Sequence, residues 1–307
     1  MPRCTLCFHH CTIQESGYGF CGVRTCRDGR IVPDNYGRLT SIALDPIEKK
    51  PLRRFYPGSM ILSVGSYGCN LRCPFCQNFQ ISWGDQVALV KREAEYVSPE
   101  ELASMAEQLA NAGKVARQLA SEPEDFRAEA GNQPQLADPS PANIGVAFTY
   151  NEPLISYEYI LDTARLLKPK GLKTVVVTNG TADSEVLAEL FPYVDAMNID
   201  IKGFTDRYYR DVLGGDRRQV MDFITEAAKH CHVELTTLII PGENDSDEEM
   251  EQLSAWIASI RSDIPLHISR FFPTFKMTDR GPTEVERIYN LQAIAQRNLE
   301  YVYTGNC

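Results

Sequence analysis

Nowhere in the 307 residues is there an apolar run of about 18 residues that could span a bilayer, and the opening Met1-Pro-Arg-Cys begins no apolar stretch of signal-peptide length. A cytoplasmic protein with no membrane partner is therefore expected. Basic blocks are equally scarce. None is longer than dipeptides such as Lys49-Lys50 and Arg53-Arg54, and the net charge is −10, so nothing marks a general nucleic-acid-binding surface. No repeat of solenoid period is visible. With 43% apolar and 23% charged residues, disorder and fibrous architecture are excluded. The length suits one large domain or two ordinary ones, at roughly 100–200 residues each.

What is abundant is cysteine. Of ten, five lie within the first 26 residues (Cys4, Cys7, Cys11, Cys21, Cys26), three between 69 and 76 (Cys69, Cys73, Cys76), and two stand apart (Cys231, Cys307). In a reducing compartment, cysteines so clustered hold metal or do chemistry more often than they form disulfides. Cys4-x2-Cys7-x3-Cys11-x9-Cys21 offers four thiolates in a Gly-rich segment, with His9, His10 and Cys26 as spares. Such a set suits tetrahedral zinc or an iron–sulfur cluster.

Residues 1–55 read as a small cysteine-rich metal module with its linker, and 56–307 as the main domain. In the latter, short apolar runs alternate with amphipathic segments. Strands are expected at Met60–Tyr67, Ile144–Tyr150, Lys173–Asn179, Asp195–Ile201, His232–Ile240, Pro265–Phe271 and Leu299–Thr304, each bounded by Gly, Pro, Asn or Asp. Ser98–Glu101, Ser246–Glu249 and Thr283–Glu286 fit the helix capping box. Alternating strands and helices imply right-handed βαβ units and a parallel sheet. The fold class expected is α/β, a partial (β/α)6-type TIM barrel, with a doubly wound sheet as the competing architecture. The interval 112–143, rich in Ala, Glu, Gln and Pro, reads as a surface insertion.

The triplet Cys69-x3-Cys73-x2-Cys76 follows the first of these strands directly, so it lies at the C-terminal mouth of the sheet, where barrel chemistry sits. Three thiolates can wrap one 4Fe–4S cluster and leave one iron without a protein ligand. An open position separates reactive metal centres from structural ones. Zinc with a fourth ligand from elsewhere is the alternative.

With Phe75 just before the third cysteine, this triplet resembles the signature of radical S-adenosylmethionine enzymes. The resemblance implies that Cys69, Cys73 and Cys76 are catalytic cluster ligands, that Phe75 lies near adenine, and that S-adenosylmethionine is cleaved to a 5′-deoxyadenosyl radical that abstracts hydrogen from a substrate. Tyr150-Asn151-Glu152-Pro153 stands where that family has Gly-Gly-Glu-Pro, which implies cofactor contact from Tyr150, Asn151 and Glu152. Thr178-Asn179-Gly180 resembles a segment of glycyl-radical activating enzymes that helps bind a monovalent cation beside the methionine carboxylate. Asn198-Ile-Asp200-Ile-Lys202 is similar to the Asp-x-Lys of pyruvate formate-lyase activating enzyme. Period 2 points all three polar residues inward, toward ligands or one another. His267 resembles a late histidine that contacts the cofactor, and Thr236 stands where the activating enzymes have an arginine.

Taken as a set, Asp45-Pro-Ile-Glu-Lys-Lys-Pro-Leu52, Phe55-Tyr-Pro-Gly58, Cys76-Gln-Asn78, Ile239-Ile-Pro-Gly-Glu-Asn244, His267-Ile-Ser-Arg-Phe271 and Tyr301-Val-Tyr-Thr-Gly-Asn306 resemble the AmmeMemoRadiSam-system radical SAM enzymes. That likeness implies a flavodoxin- or ferredoxin-type electron donor, Memo-type and Amme-type partner proteins, and a substrate that the sequence does not identify.

Overall fold

The computed structural model describes residues 1–121 and 142–307. Its centre is an eight-stranded sheet. Seven parallel strands, β5 (Met60–Gly65), β7 (Asn143–Phe148), β8 (Lys173–Thr178), β9 (Ala196–Asp200), β10 (His232–Ile239), β11 (Leu266–Arg270) and β12 (Val302–Gly305), stand side by side in chain order. β4 (Ser41–Pro46) pairs antiparallel with β5 at one edge. A doubly wound sheet would reverse its strand order part-way. The unbroken order instead sends every crossover the same way round, which is the winding of a partial barrel. All seven expected strands are present, each ending one to three residues from the expected bounds or closer, apart from β12, which starts at Val302.

Both faces of the sheet are covered, as parallel sheets require. The larger apolar core packs helices against one face. A smaller one, made by Ile47, Leu52 and Phe55 with Ile61, Ala147, Val175 and Ala196, fills the concave side. The segment after β4 therefore turns back into the barrel and plugs its lower half. It is latched there by Glu234 on β10, which is fully buried. That carboxylate accepts the backbone N–H groups of Arg54 at 2.7 Å and Arg53 at 3.0 Å, and meets His267 Nε2 at 2.6 Å and His232 Nε2 at 2.9 Å.

Strand β4 was not expected within residues 1–55. Its alternation runs in the unusual sense, with Ile42 and Leu44 facing outward at 42% and 40% exposure and Asp45 facing in, so the period-2 pattern does not read as a half-buried strand. The N-terminal segment also holds a hairpin, β1 (Arg24–Arg27) with β2 (Arg30–Pro33), and a two-residue pairing of β3 (Arg38–Leu39) with β6 (Glu95–Tyr96). The helix Pro99–Ser121 runs into the expected insertion and Asn143 begins β7; the remainder, residues 122–141, lies outside the described residues.

Of the three capping boxes, Ser98 and Glu101 form the full reciprocal pair, at 2.8 and 3.2 Å. Ser246 caps the Glu249 N–H at 3.1 Å, but the Glu249 carboxylate turns inward to the Phe204 N–H. Thr283 caps nothing. Its helix starts at Val285, and the Thr283 hydroxyl donates to the Ile239 carbonyl at 2.6 Å, a tertiary bond that outcompetes the local one. No helix among the described residues is long and apolar enough to cross a membrane.

Four donors hold the Glu234 carboxyl down, from its ordinary 4.5 to about 2, against the upward push of burial. A carboxyl depressed in the folded chain adds stability above its unfolded pKa, and the gain is lost as pH falls through the folded value. Denaturant titrations should therefore show wild-type stability declining between about pH 4.5 and 2. Glu234→Gln should cost about 2–4 kcal/mol at pH 7 and flatten that decline. An unchanged acid limb in the variant would remove the latch from the account.

Candidate active site

The loop 66–78 leaves the C-terminal end of β5 and carries the three cysteines, none of them in a disulfide. Its course is fixed by polar side chains rather than by secondary structure. Asn151, just past β7, accepts the Ser66 N–H at 3.0 Å and donates to the carbonyls of Gly68 at 3.1 Å and Tyr67 at 3.2 Å. Gly68 has φ +88°, and a Cβ there would collide with Val23 and the Cys21 carbonyl. Farther along, the Arg72 N–H bonds the Leu213 carbonyl at 2.9 Å and the Lys276 N–H bonds the Pro74 carbonyl at 2.9 Å. The sequence likeness placed Asn151 on the cofactor; the structure gives it the work of clamping the loop.

Cys73 is buried, and Cys69 and Cys76 are half-buried. Burial pushes the Cys73 thiol up to about 11 and drives Cys69 and Cys76 upward as well, while the Lys202 cation pulls Cys73 and Cys76 back down. Donors also face the sulfurs. The Leu71 N–H lies 3.4 Å from Cys69 Sγ and Asn179 Nδ2 lies 3.8 Å from it. Phe75 is buried in the main core beside them.

Glu152 is the carboxylate around which the mouth is built. It is 2% exposed. Oε1 accepts Thr178 Oγ1 at 2.7 Å and the Leu154 N–H at 3.0 Å, and Oε2 accepts the Asn179 N–H at 2.7 Å. An ionised carboxylate has about four acceptor positions. Three are filled here, and one remains. Burial pushes Glu152 up to about 7 despite these donors.

At the end of β9, Asp200 forms an ion pair with Lys202 at 2.7 Å, their side chains 32% and 18% exposed. The inward face expected from period 2 is thus real, and two of its members satisfy each other. Asn198 belongs lower down. Its Nδ2 donates to the Pro51 carbonyl of the plug at 2.9 Å and its Oδ1 accepts Thr236 Oγ1 at 3.0 Å.

Three of the expected contact residues are engaged within the protein itself. His267, the second residue of β11, is bound to the buried Glu234 carboxylate at 2.6 Å and stacked on Tyr303 at 5.2 Å. Tyr150 adopts φ +75°, drops its ring over Gly65 and donates to Asp45 Oδ2 at 2.8 Å. Lys50 shares that oxygen at 2.8 Å. At the Thr178-Asn179 turn the side-chain oxygens accept bonds from within the turn, Thr178 Oγ1 from the Gly180 N–H and Asn179 Oδ1 from the Thr181 N–H and hydroxyl.

Two residues that the sequence did not flag complete the site. Asn70, 1% exposed, accepts Asn179 Nδ2 at 2.9 Å and donates to Thr181 Oγ1 at 2.6 Å. Tyr208 opens a π-helical stretch, Tyr208–Leu213, within electrostatic reach of Cys73. Its buried hydroxyl has no hydrogen-bond partner among the described residues. Single π turns mark functional sites often enough for that to have been a signal, had the sequence shown one.

The comparisons follow this geometry. A family model described as the radical SAM superfamily matches residues 140–254. An uncharacterized protein of Methanocaldococcus jannaschii is 35% identical over 307 residues, spanning 99% of this chain and 81% of its own length. The chain belongs to the radical SAM superfamily. A pyruvate formate-lyase-activating enzyme of Clostridium pasteurianum is 29% identical over 120 residues, which cover 38% of this radical SAM chain and half of that enzyme. A radical SAM methyltransferase from Sphaerobacter thermophilus shares the fold, with TM-score 0.55 and 17% identity over 81% of this chain and 67% of its own. The superfamily implies a 4Fe–4S cluster and S-adenosylmethionine.

The residues fit such a cluster. The three thiols are free of disulfides, N–H donors face Cys69, the Lys202 cation acts on Cys73 and Cys76, and the buried Tyr208 hydroxyl, within electrostatic reach of Cys73, still lacks a partner among the described residues. Among the described residues no three His, Cys, Asp or Glu side chains converge closely enough to hold one metal ion.

The clamp makes its own prediction. Asn151→Ala strands one backbone N–H and two carbonyls of the cysteine loop, so urea denaturation should show a loss of about 1–3 kcal/mol. A change below about 0.5 kcal/mol would show that the loop is held elsewhere.

Proposed function

We propose that this protein is a radical SAM enzyme that reductively cleaves S-adenosylmethionine and abstracts hydrogen from a substrate still to be identified. The observation that carries the reading is the three-cysteine loop beside a buried carboxylate with one acceptor position left. Cys69, Cys73 and Cys76 would hold the cluster. Bound there, a 4Fe–4S cluster and S-adenosylmethionine supply one-electron cleavage of the S–C5′ bond and a hydrogen-abstracting 5′-deoxyadenosyl radical.

The chain's own work is to bind, orient and shield. Glu152 offers its remaining acceptor position to the methionine ammonium, and Asn179 and Thr178 fix that carboxylate in place. Lys202, paired with Asp200, lays positive charge against Cys73 and Cys76 and so favours their thiolate forms. Phe75 supplies apolar surface at the third cysteine for adenine. His267, Asn198 and Tyr150 support the barrel beneath rather than touching the cofactor, and a monovalent cation is no part of the reading. An electron donor of the flavodoxin or ferredoxin type would serve it in a reducing, cytoplasmic setting.

Kinship with the AmmeMemoRadiSam group, with Memo-type and Amme-type proteins as partners, rests on the motif set quoted above. The second reading is a glycyl-radical activase, favoured by the likeness to pyruvate formate-lyase-activating enzyme. Against it stands Thr236, whose hydroxyl is spent on Asn198 where the activating enzymes have arginine. Substrate handling differs accordingly, and a small molecule or another protein residue fits better than a glycine loop.

Anaerobic, dithionite-reduced protein should convert S-adenosylmethionine to 5′-deoxyadenosine, read by liquid chromatography. Cys73→Ala should abolish product, and a variant that still makes it would sink the assignment. Binding should also depend on pH. Glu152, raised to about 7, takes up a proton below that pH while the ligand's amine stays charged. Affinity should fall by up to about tenfold per pH unit below 7 in the wild type, and Glu152→Gln should bind weakly with a flat profile.

A further inference from the structure

The cysteine-rich segment that precedes the sheet plays no part in the chemistry just described. Yet Cys4, Cys7, Cys11 and Cys21 line one small cavity together with His10 and Phe20. None is in a disulfide, and Cys26 is set apart by its bond to Glu15 at 3.3 Å. Backbone N–H groups face two of the four sulfurs: Phe20 N lies 3.4 Å from Cys11 Sγ, and Arg24 N lies 3.4 Å from Cys21 Sγ. Neutral thiols are weak acceptors and gain little from such donors, whereas metal-bound thiolates gain much.

The spacing of the sulfurs separates two kinds of metal. Tetrahedral zinc needs all four thiolates about 2.3 Å from a single ion. Here the four cysteines stand around a common cavity. A cluster gives each thiolate its own iron and spreads the sulfurs around its edge. We propose that Cys4, Cys7, Cys11 and Cys21 hold a second iron–sulfur cluster, seated against the Cys69 site through Asn70.

Asn70 spans the gap in both directions. Its carbonyl meets His9 Nε2, between Cys7 and Cys11 in the chain, at 2.9 Å. On the other side the Asn70 amide oxygen accepts Asn179 Nδ2 at 2.9 Å, and that same nitrogen lies 3.8 Å from Cys69 Sγ. Arg72 adds a second tie. It donates to the carbonyls of Cys69 at 2.7 Å and of Phe20, and lies over the Phe20 ring at 4.0 Å. Asn70 is thus a positioning residue that sets the donors facing the catalytic thiolates. This coupling rests on the Cys69 site holding a cluster as proposed above; the second cluster itself does not.

Elemental and sulfide analysis of the full chain, purified anaerobically and reconstituted with iron and sulfide, tests the proposal. Wild type should carry about eight irons and eight acid-labile sulfides. The Cys4→Ala/Cys7→Ala and Cys69→Ala/Cys73→Ala variants should each keep about four. One equivalent of zinc in the wild type as purified, with no more than about four irons after reconstitution, overturns the second cluster, as does full iron in the Cys4/Cys7 variant. If that variant fails to fold, the wild-type iron and zinc contents still decide. Full iron in the Cys69/Cys73 variant would instead count against the catalytic reading. Asn70→Ala should retain both complements of iron while lowering the midpoint potential of the Cys69 cluster, since fewer donors would face its more negative reduced form. An unchanged potential removes the link.

Discussion

The buried carboxylate of Glu152 is the interaction on which the mouth of the barrel depends. It stands just past β7, takes two of its three donors from the end of β8, and through Asn179 reaches both Asn70 and Cys69. A carboxylate so placed is costly to bury, and burial alone raises its pKa. Three hydrogen bonds offset part of that cost, and the incomplete offset leaves it ready to accept a cationic partner. Loop, strand ends and carboxylate consequently form one connected unit. Moving any member disturbs the donors around the thiolates.

Below that unit the barrel is closed by chain rather than by ligand. The plug that carries Ile47, Leu52 and Phe55 occupies the lower half, fixed by Glu234 with two backbone amides and two histidines. The division follows the sheet's polarity: lower strand positions hold the plug, and the upper ends carry the cysteine loop and Glu152. It also accounts for inward-facing polar residues whose hydrogen bonds stay within the protein. Asn198, Thr236 and His267 spend their hydrogen bonds on the plug and on one another.

Much of this could be read in the sequence, and the limits have physical causes. Parallel strands buried on both faces are continuous apolar runs, so β5 and β7 to β11 were legible almost to the residue, and the cysteine triplet was placed at their C-terminal ends by the end of β5 alone. Edge strand β4 was not, because its apolar residues face outward. His267 was placed on the cofactor by resemblance, and nothing local in its sequence shows that Glu234, 33 residues earlier, lies 2.6 Å away. Asn70 and Tyr208 were missed for the same reason. Their roles come from contacts between segments distant in sequence, which neither spacing nor periodicity encodes.

The account's central claim is that three thiolates leave one iron open for S-adenosylmethionine. Electron paramagnetic resonance of the anaerobically reduced protein tests it most directly. Adding S-adenosylmethionine should change the g-values and line shape of the reduced 4Fe–4S signal, and the ligand labelled with 15N at its amino group should show hyperfine coupling to the cluster. A spectrum unaltered by the ligand, with no nitrogen coupling, would contradict the claim.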